Sequence, residues 1–138
     1  MIKIYSRLDV NKLCHIIIKK EDINKERIDV IPEDNFLQLS ILNIQDGKTF
    51  KPHRHIWKDG EPRVIAQESW VVIEGNVDVT YYDIEDTIPL ANYRIGPGDC
   101  SITLLGGHTY KAVGECKVYE FKTGPYKGQK LDKRFIDE

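Results

Sequence analysis

His53 and His55 stand one residue apart in the run Gly47-Lys-Thr-Phe-Lys-Pro-His53-Arg-His55, and Glu68 follows after twelve intervening residues. Side chains alternate along a strand, so histidines at i and i+2 present both imidazoles on one face. Glu68 and His108, arriving from neighbouring strands, complete a four-ligand set for one divalent metal ion. Neutral imidazole with carboxylate suits iron, zinc, nickel, manganese or cobalt alike, and leaves one or two positions for water or substrate. Strand alternation puts Trp70 on the face of Glu68 and Tyr110 on the face of His108, so both are expected to line the pocket. Tyr81 and Arg94 are further polar contacts for a sugar or a carboxylate. Arg54, between the paired histidines, should point away to a salt bridge or solvent. Gln67 should pack outside, and His15, in a separate apolar run, is read as structural or surface. The same histidines also fit a metal-free pocket, with His53 or His55 as a general base beside a ketone.

Positioning these groups takes strands. Short runs rich in β-branched residues predict strands at 2–5 and 13–18, with a polar connection between them and a charged loop at 19–27. Further strands are expected at 36–44, 50–56, 64–74, 77–82, 90–95, 100–105, 108–113 and 116–122. Turn chemistry separates them: Pro32 to Asn35, Gln45-Asp46-Gly47, a projecting loop over 57–62, a tight turn at Glu74-Gly75-Asn76, an acidic loop over 83–89, Gly96-Pro97-Gly98-Asp99 and Gly106-Gly107. From Gly124 onward the chain is polar and reads as a tail over the surface. No long stretch carries a 3.6-residue apolar period, and turn signals recur every 8–12 residues. The fold class is therefore all-β, a sandwich or barrel in one domain over 1–138.

A length of 138 residues allows one well-filled core. The net charge of −2 removes the electrostatic case for nucleic acid. No apolar run reaches the length of a membrane span, and Met1-Ile-Lys-Ile-Tyr lacks the apolar core of a signal peptide, so a cytoplasmic location is expected. Cys14, Cys100 and Cys116 are odd in number and widely spaced, which argues against a disulfide framework or a zinc knuckle. They are expected as small buried hydrophobes, with Cys100 as a second possibility for the pocket.

Gly47, His53, His55, Glu68 and Gly75 match the first motif of the cupins in order and in its five- and six-residue spacings, and the sequence resembles that superfamily. It departs in the twelve residues between His55 and Glu68, an insertion that a hairpin loop at Asp59-Gly60 absorbs. The second motif is met by Pro97, Gly98 and His108; nine residues precede the histidine, and Ala112 stands where the motif has asparagine. The resemblance spans about residues 36–122 and implies a jelly-roll (double-stranded β-helix) barrel, with the strands at 2–18 and the tail 124–138 packing on it. It further implies metal ligands His53, His55, Glu68 and His108, a small-molecule ligand and a homodimer contacting through 2–18. Lys51-Pro-His-Arg-His-Ile, Gln67-Glu-Ser-Trp, Gly106-Gly-His and Gly124-Pro-Tyr-Lys-Gly are similar to small cupins encoded with surface-polysaccharide biosynthesis genes. That context implies a carbohydrate or nucleotide-sugar ligand. Three functions follow as expectations: a metal-dependent isomerase or oxygenase, a metal-free sugar-nucleotide isomerase or epimerase, and a non-catalytic binding module.

Overall fold

A computed structural model describes residues 1–85 and 87–136. The described residues form twelve strands and two single 3-10 turns, at Lys20–Asp22 and Gln129–Leu131, with no α-helix among them. β1 (Ile2–Tyr5) and β2 (Leu13–Ile17) pair antiparallel as a separate ribbon. Then come β3 (Ile28–Asp29), β4 (Leu37–Ile44), β5 (His53–His55), β6 (Trp57–Lys58), β7 (Val64–Ile65) and β8 (Glu68–Tyr82). β9 (Pro89–Ile95), β10 (Cys100–Thr103), β11 (Gly107–Thr123) and β12 (Lys133–Phe135) complete the chain. The expected acidic loop at 83–89 includes Asp86, and the expected tail includes Asp137 and Glu138; these three lie outside the described residues.

Two long strands organise the barrel. The first half of β8 pairs with the second half of β11, from Lys122↔Glu68 to Lys117↔Glu74. The second half of β8 pairs with the first half of β11, from Val113↔Asn76 to Gly107↔Tyr82. β10 and β4 flank the first pairing and β3 adds to β4, while β9 and β5 flank the second and β12 adds to β5. Each long strand thus serves two sheet faces, which close on each other as a jelly roll.

The tight turn expected at 74–76 is instead a bend within β8, and the strands expected at 108–113 and 116–122 are one strand. At Gly75 φ is +78°, and the register with β11 shifts between Val113 and Lys117. A bulge of this kind sharpens the twist and redirects a strand without ending its pairing. The loop expected at 57–62 carries a short paired stem, Trp57↔Ile65 and Lys58↔Val64. The expected surface tail holds β12, because Asp132 and Ile136 are buried and bring the segment against β5.

Alternation along the strands fills the interior. Trp70, Val72, Val77 and Val79 of β8 meet Tyr110, Ala112, Cys116 and Val118 of β11, with Leu42 and Ile44 of β4, in one buried cluster. Burial of each large apolar side chain contributes about 1.5–3 kcal/mol. A second cluster lies on the other face of β4, where Leu39 and Ile41 pack against Ile23 and Val30 from the N-terminal segment. β4 is therefore covered on both sides, which explains its near-continuous apolar run. Of the cysteines only Cys116 is buried; Cys14 and Cys100 are exposed, against expectation. β10 turns Ser101 rather than Cys100 into the barrel.

The bend at Gly75 yields a stability prediction. A β-carbon there would overlap the Glu115 carbonyl and the Cys116 side chain, whereas one at Gly114, φ +76°, would meet nothing within 4 Å. Gly114→Ala should therefore cost about 1–2 kcal/mol from backbone strain alone, and Gly75→Ala clearly more. Urea unfolding of the two variants checks this; equal losses would contradict the packing account.

Candidate metal centre

β5 lies between β11 and β12, with His53 opposite both His108 and Phe135 and His55 opposite Lys133. Glu68 opens β8 across the barrel. His53, His55, Glu68 and His108 are all buried, and one ligand atom from each lies within 4.8 Å of the other three. Two ligands about 2.1 Å from one ion sit at most about 4.2 Å apart, so the cluster needs only a small contraction to embrace an ion.

Hydrogen bonding aims the rings. His53 Nδ1 lies 3.0 Å from the Lys51 carbonyl, which accepts a hydrogen bond from Nδ1–H and leaves Nε2 as the lone-pair nitrogen. That Nε2 is buried without a partner. His108 Nε2 donates to Glu68 Oε1 at 3.1 Å, and His55 Nε2 donates to Oε2 at 3.2 Å. His55 Nδ1 faces Asp132 Oδ2 at 3.2 Å, so its ring stands between two carboxylates. Asp132 is fully buried and also receives Lys58 at 2.9 Å and Lys122 at 3.1 Å.

Charge follows from this wiring. Burial, with the positive charge of His108 nearby, pushes His53 down to about 3, so it is neutral at ordinary pH. Burial opposes charge on His55 too, but its hydrogen bonds to Asp132 and Glu68 win and raise it. Burial would raise Glu68, yet the hydrogen bonds from His108 and His55 hold it well below the usual carboxylate range. Asp132 is held low in the same way, burial being outweighed by His55, Lys122 and Lys58.

A cavity of about 200 Å³ opens beside the cluster. His53, Glu68, Trp70 and Tyr110 form its buried wall, with Trp70 and Tyr110 stacked at 4.0 Å. Trp70 Nε1 donates to Glu120 at 3.1 Å, and Glu120 in turn pairs with Arg27 at 2.8 Å. Lys122, Tyr126, Gln129 and Lys133 line the rest. Tyr81 does not line this cavity; its hydroxyl lies 2.6 Å from Ser101 Oγ, which also meets the Tyr110 hydroxyl at 3.1 Å. Arg94 is on the outer surface, paired with Asp78 at 2.7 Å. Gln67 and His15 are exposed, and Arg54 is buried rather than solvated because β12 covers it. Sequence reasoning missed Asp132 and Lys133; the apolar pair Phe135-Ile136 closing a polar segment was the available sign of a docked strand.

Similarity to solved structures supports the fold. A conserved protein with a double-stranded β-helix domain from Klebsiella pneumoniae subsp. pneumoniae covers 99% of this chain, itself covered in full, at 14% identity and TM-score 0.66. The fold is the double-stranded β-helix expected from the sequence. KdgF from Halomonas sp. matches this barrel at 18% identity and TM-score 0.57, over 76% of this chain and 82% of that one. CapF, solved with the inhibitor 3-isopropenyl-tropolone, matches at 14% identity and TM-score 0.65; 81% of this chain aligns, but the barrel spans only 32% of CapF. No protein-family model matches the chain, and no curated protein matches it by sequence. No helix among the described residues is long and apolar enough to cross a membrane.

The wiring fixes how stability of the metal-free protein should respond to acid. His53 is depressed from its ordinary 6.5 to about 3, so between these values the unfolded chain binds a proton that the fold does not. Stability is full above pH 6.5 and falls with pH through that window, by up to about 1.4 kcal/mol per pH unit. Glu68 and Asp132, depressed carboxylates, add to the loss below their ordinary values of 4.5 and 3.8. His55, which is raised, is protonated in both states below pH 6.5; its contribution is lost only as pH rises through its folded value. Thermal melts followed by circular dichroism should fall steadily from pH 6.5 to 4.5, and His53→Asn should flatten the slope. A wild-type melting temperature constant over that range would contradict the assignment.

Proposed function

We propose that the chain is a metal-binding cupin acting on a small polar, carbohydrate-type molecule held in the cavity beside His53. The observation that carries the reading is His53 Nε2: a buried lone-pair nitrogen with no partner, facing His55, Glu68 and His108. An unmatched buried nitrogen costs stability, and a divalent cation supplies the missing partner. Three imidazole nitrogens and a carboxylate form a donor set that iron, zinc, nickel, manganese and cobalt all accept.

In this reading His53, His55, Glu68 and His108 hold the ion, which when bound acts as a Lewis acid or dioxygen site through its open position. Asp132 orients His55 from behind and raises its basicity, the usual task of a carboxylate behind a ligating imidazole. An ion held there would displace the protons that bridge His55 and His108 to Glu68, so affinity should rise with pH. Trp70 and Tyr110 give the ligand an apolar wall, and Tyr126 and Gln129 also line the cavity. The resemblance to cupins of polysaccharide biosynthesis supports a sugar-like ligand in a cytoplasmic setting. We place a homodimer contact on the ribbon β1–β2, whose Ile2, Ile4, Tyr5 and Ile17 are exposed.

A second reading rests on the same nitrogen. His53 is neutral and lines the cavity, so it can accept a proton next to a ketone without any metal. His55, raised and enclosed by two carboxylates, is the stronger base of the pair named from the sequence but already holds its proton, so His53 is the one free to accept.

Elemental analysis separates these readings. Wild-type protein purified without added metal should carry about one divalent ion per chain, and His53→Ala and His108→Ala should lose it with an unchanged circular dichroism spectrum. A metal-free wild type whose chelated form still turns over a nucleotide-linked keto sugar would replace the first reading with the second. Tight binding without turnover in either state would leave a binding module.

A further inference from the structure

Three of the cations near the cluster already have partners. Lys58 and Lys122 both reach Asp132, and Arg27 is held by Asp29 and Glu120. Lys133 differs. It lines the cavity together with His53 and Glu68, its side chain is half-buried, and among the described residues no carboxylate or carbonyl takes its ammonium. It sits opposite His55 on β12, the edge strand beside the cluster. Withdrawing an ammonium from water without a partner is costly, so its position points to an anion that arrives from outside.

The cavity also limits that anion. Its three cations, Arg27, Lys122 and Lys133, are matched by three acids, Asp29, Glu68 and Glu120. A polyanion such as a pyrophosphate would meet Glu120 and Asp29 at close range, whereas one negative charge can pair with Lys133 alone. The volume of about 200 Å³ lies below the roughly 300–1,000 Å³ of pockets that take drug-sized ligands, and a nucleotide sugar exceeds it.

We propose that Lys133 binds the carboxylate of a monoanionic hydroxy acid or sugar acid no larger than a monosaccharide. This rests on the reading of the cavity as the ligand site and narrows it: the ligand is an acid, and nucleotide sugars are excluded. Lys133 is a specificity-determining residue, with Tyr126 and Gln129 available to the ligand hydroxyls.

Titration calorimetry with metal-supplemented full-length protein tests this, using glucuronate against glucuronamide and lactate against lactamide, pairs that differ only in charge. At least one acid should bind about tenfold or more tightly than its amide. Lys133→Met, which keeps an unbranched stem of similar length, should abolish that preference, and Lys133→Arg should restore part of it. Equal binding of acid and amide by wild type, a preference that survives Lys133→Met, or no binding of any probe up to about 10 mM would each overturn the proposal. UDP-glucose binding more tightly than either acid would overturn it as well. Metal content measured on the same samples keeps the two readings apart. A Lys133-dependent acid preference in protein that takes up no metal would sustain this inference while the metal reading fell. Metal uptake without that preference would do the reverse.

Discussion

Everything in the site depends on one buried carboxylate. Glu68 is almost wholly withdrawn from water and shares its two oxygens between His55 and His108. A carboxylate in such a place is tolerated only because both imidazoles donate to it. The same two bonds fix where the rings point, and Asp132 repeats the logic one layer out, with His55 and two lysines around it. His53 alone is left outside this network on its inner side. The cluster is thus a network of paired carboxylates and imidazoles in which His53 Nε2 is left buried without a partner.

The barrel serves that arrangement through its two bent strands. Since β8 and β11 each run through both faces, Glu68 at one end of β8 and His108 at one end of β11 are carried to a common point by the bulge near Gly75. A regular turn there would have ended the pairing and separated the faces.

Much of this was legible in the sequence because it depends on local periodicity. Histidines at i and i+2 must share a strand face, and the alternation from Glu68 to Val72 announced which residues look inward. Strand existence followed from β-branched runs and turn chemistry. What stayed hidden depends on distant contacts. Gly75 looked like a turn because positive φ serves turns and bulges equally, and only the partner strand decides between them. Cys100 looked buried by residue type, but the register of β10 faces it outward and puts Ser101 inside. Asp132 and Lys133 lay in a polar segment with no periodicity, and their roles arise from pairing with β5.

The pairing of β12 with β5 also bears on the order of assembly. His55 and Asp132 are separated by 77 positions, against 40 between Glu68 and His108. Closing the larger loop costs more chain entropy, although the increment grows only slowly with length. A nascent barrel ending at Thr123 would already hold three imidazoles and Glu68, with His55 unaimed and Arg54 open to water. Docking of the last strand is therefore the step that completes the hydrogen-bonding around His55 and closes the outer side of the cluster.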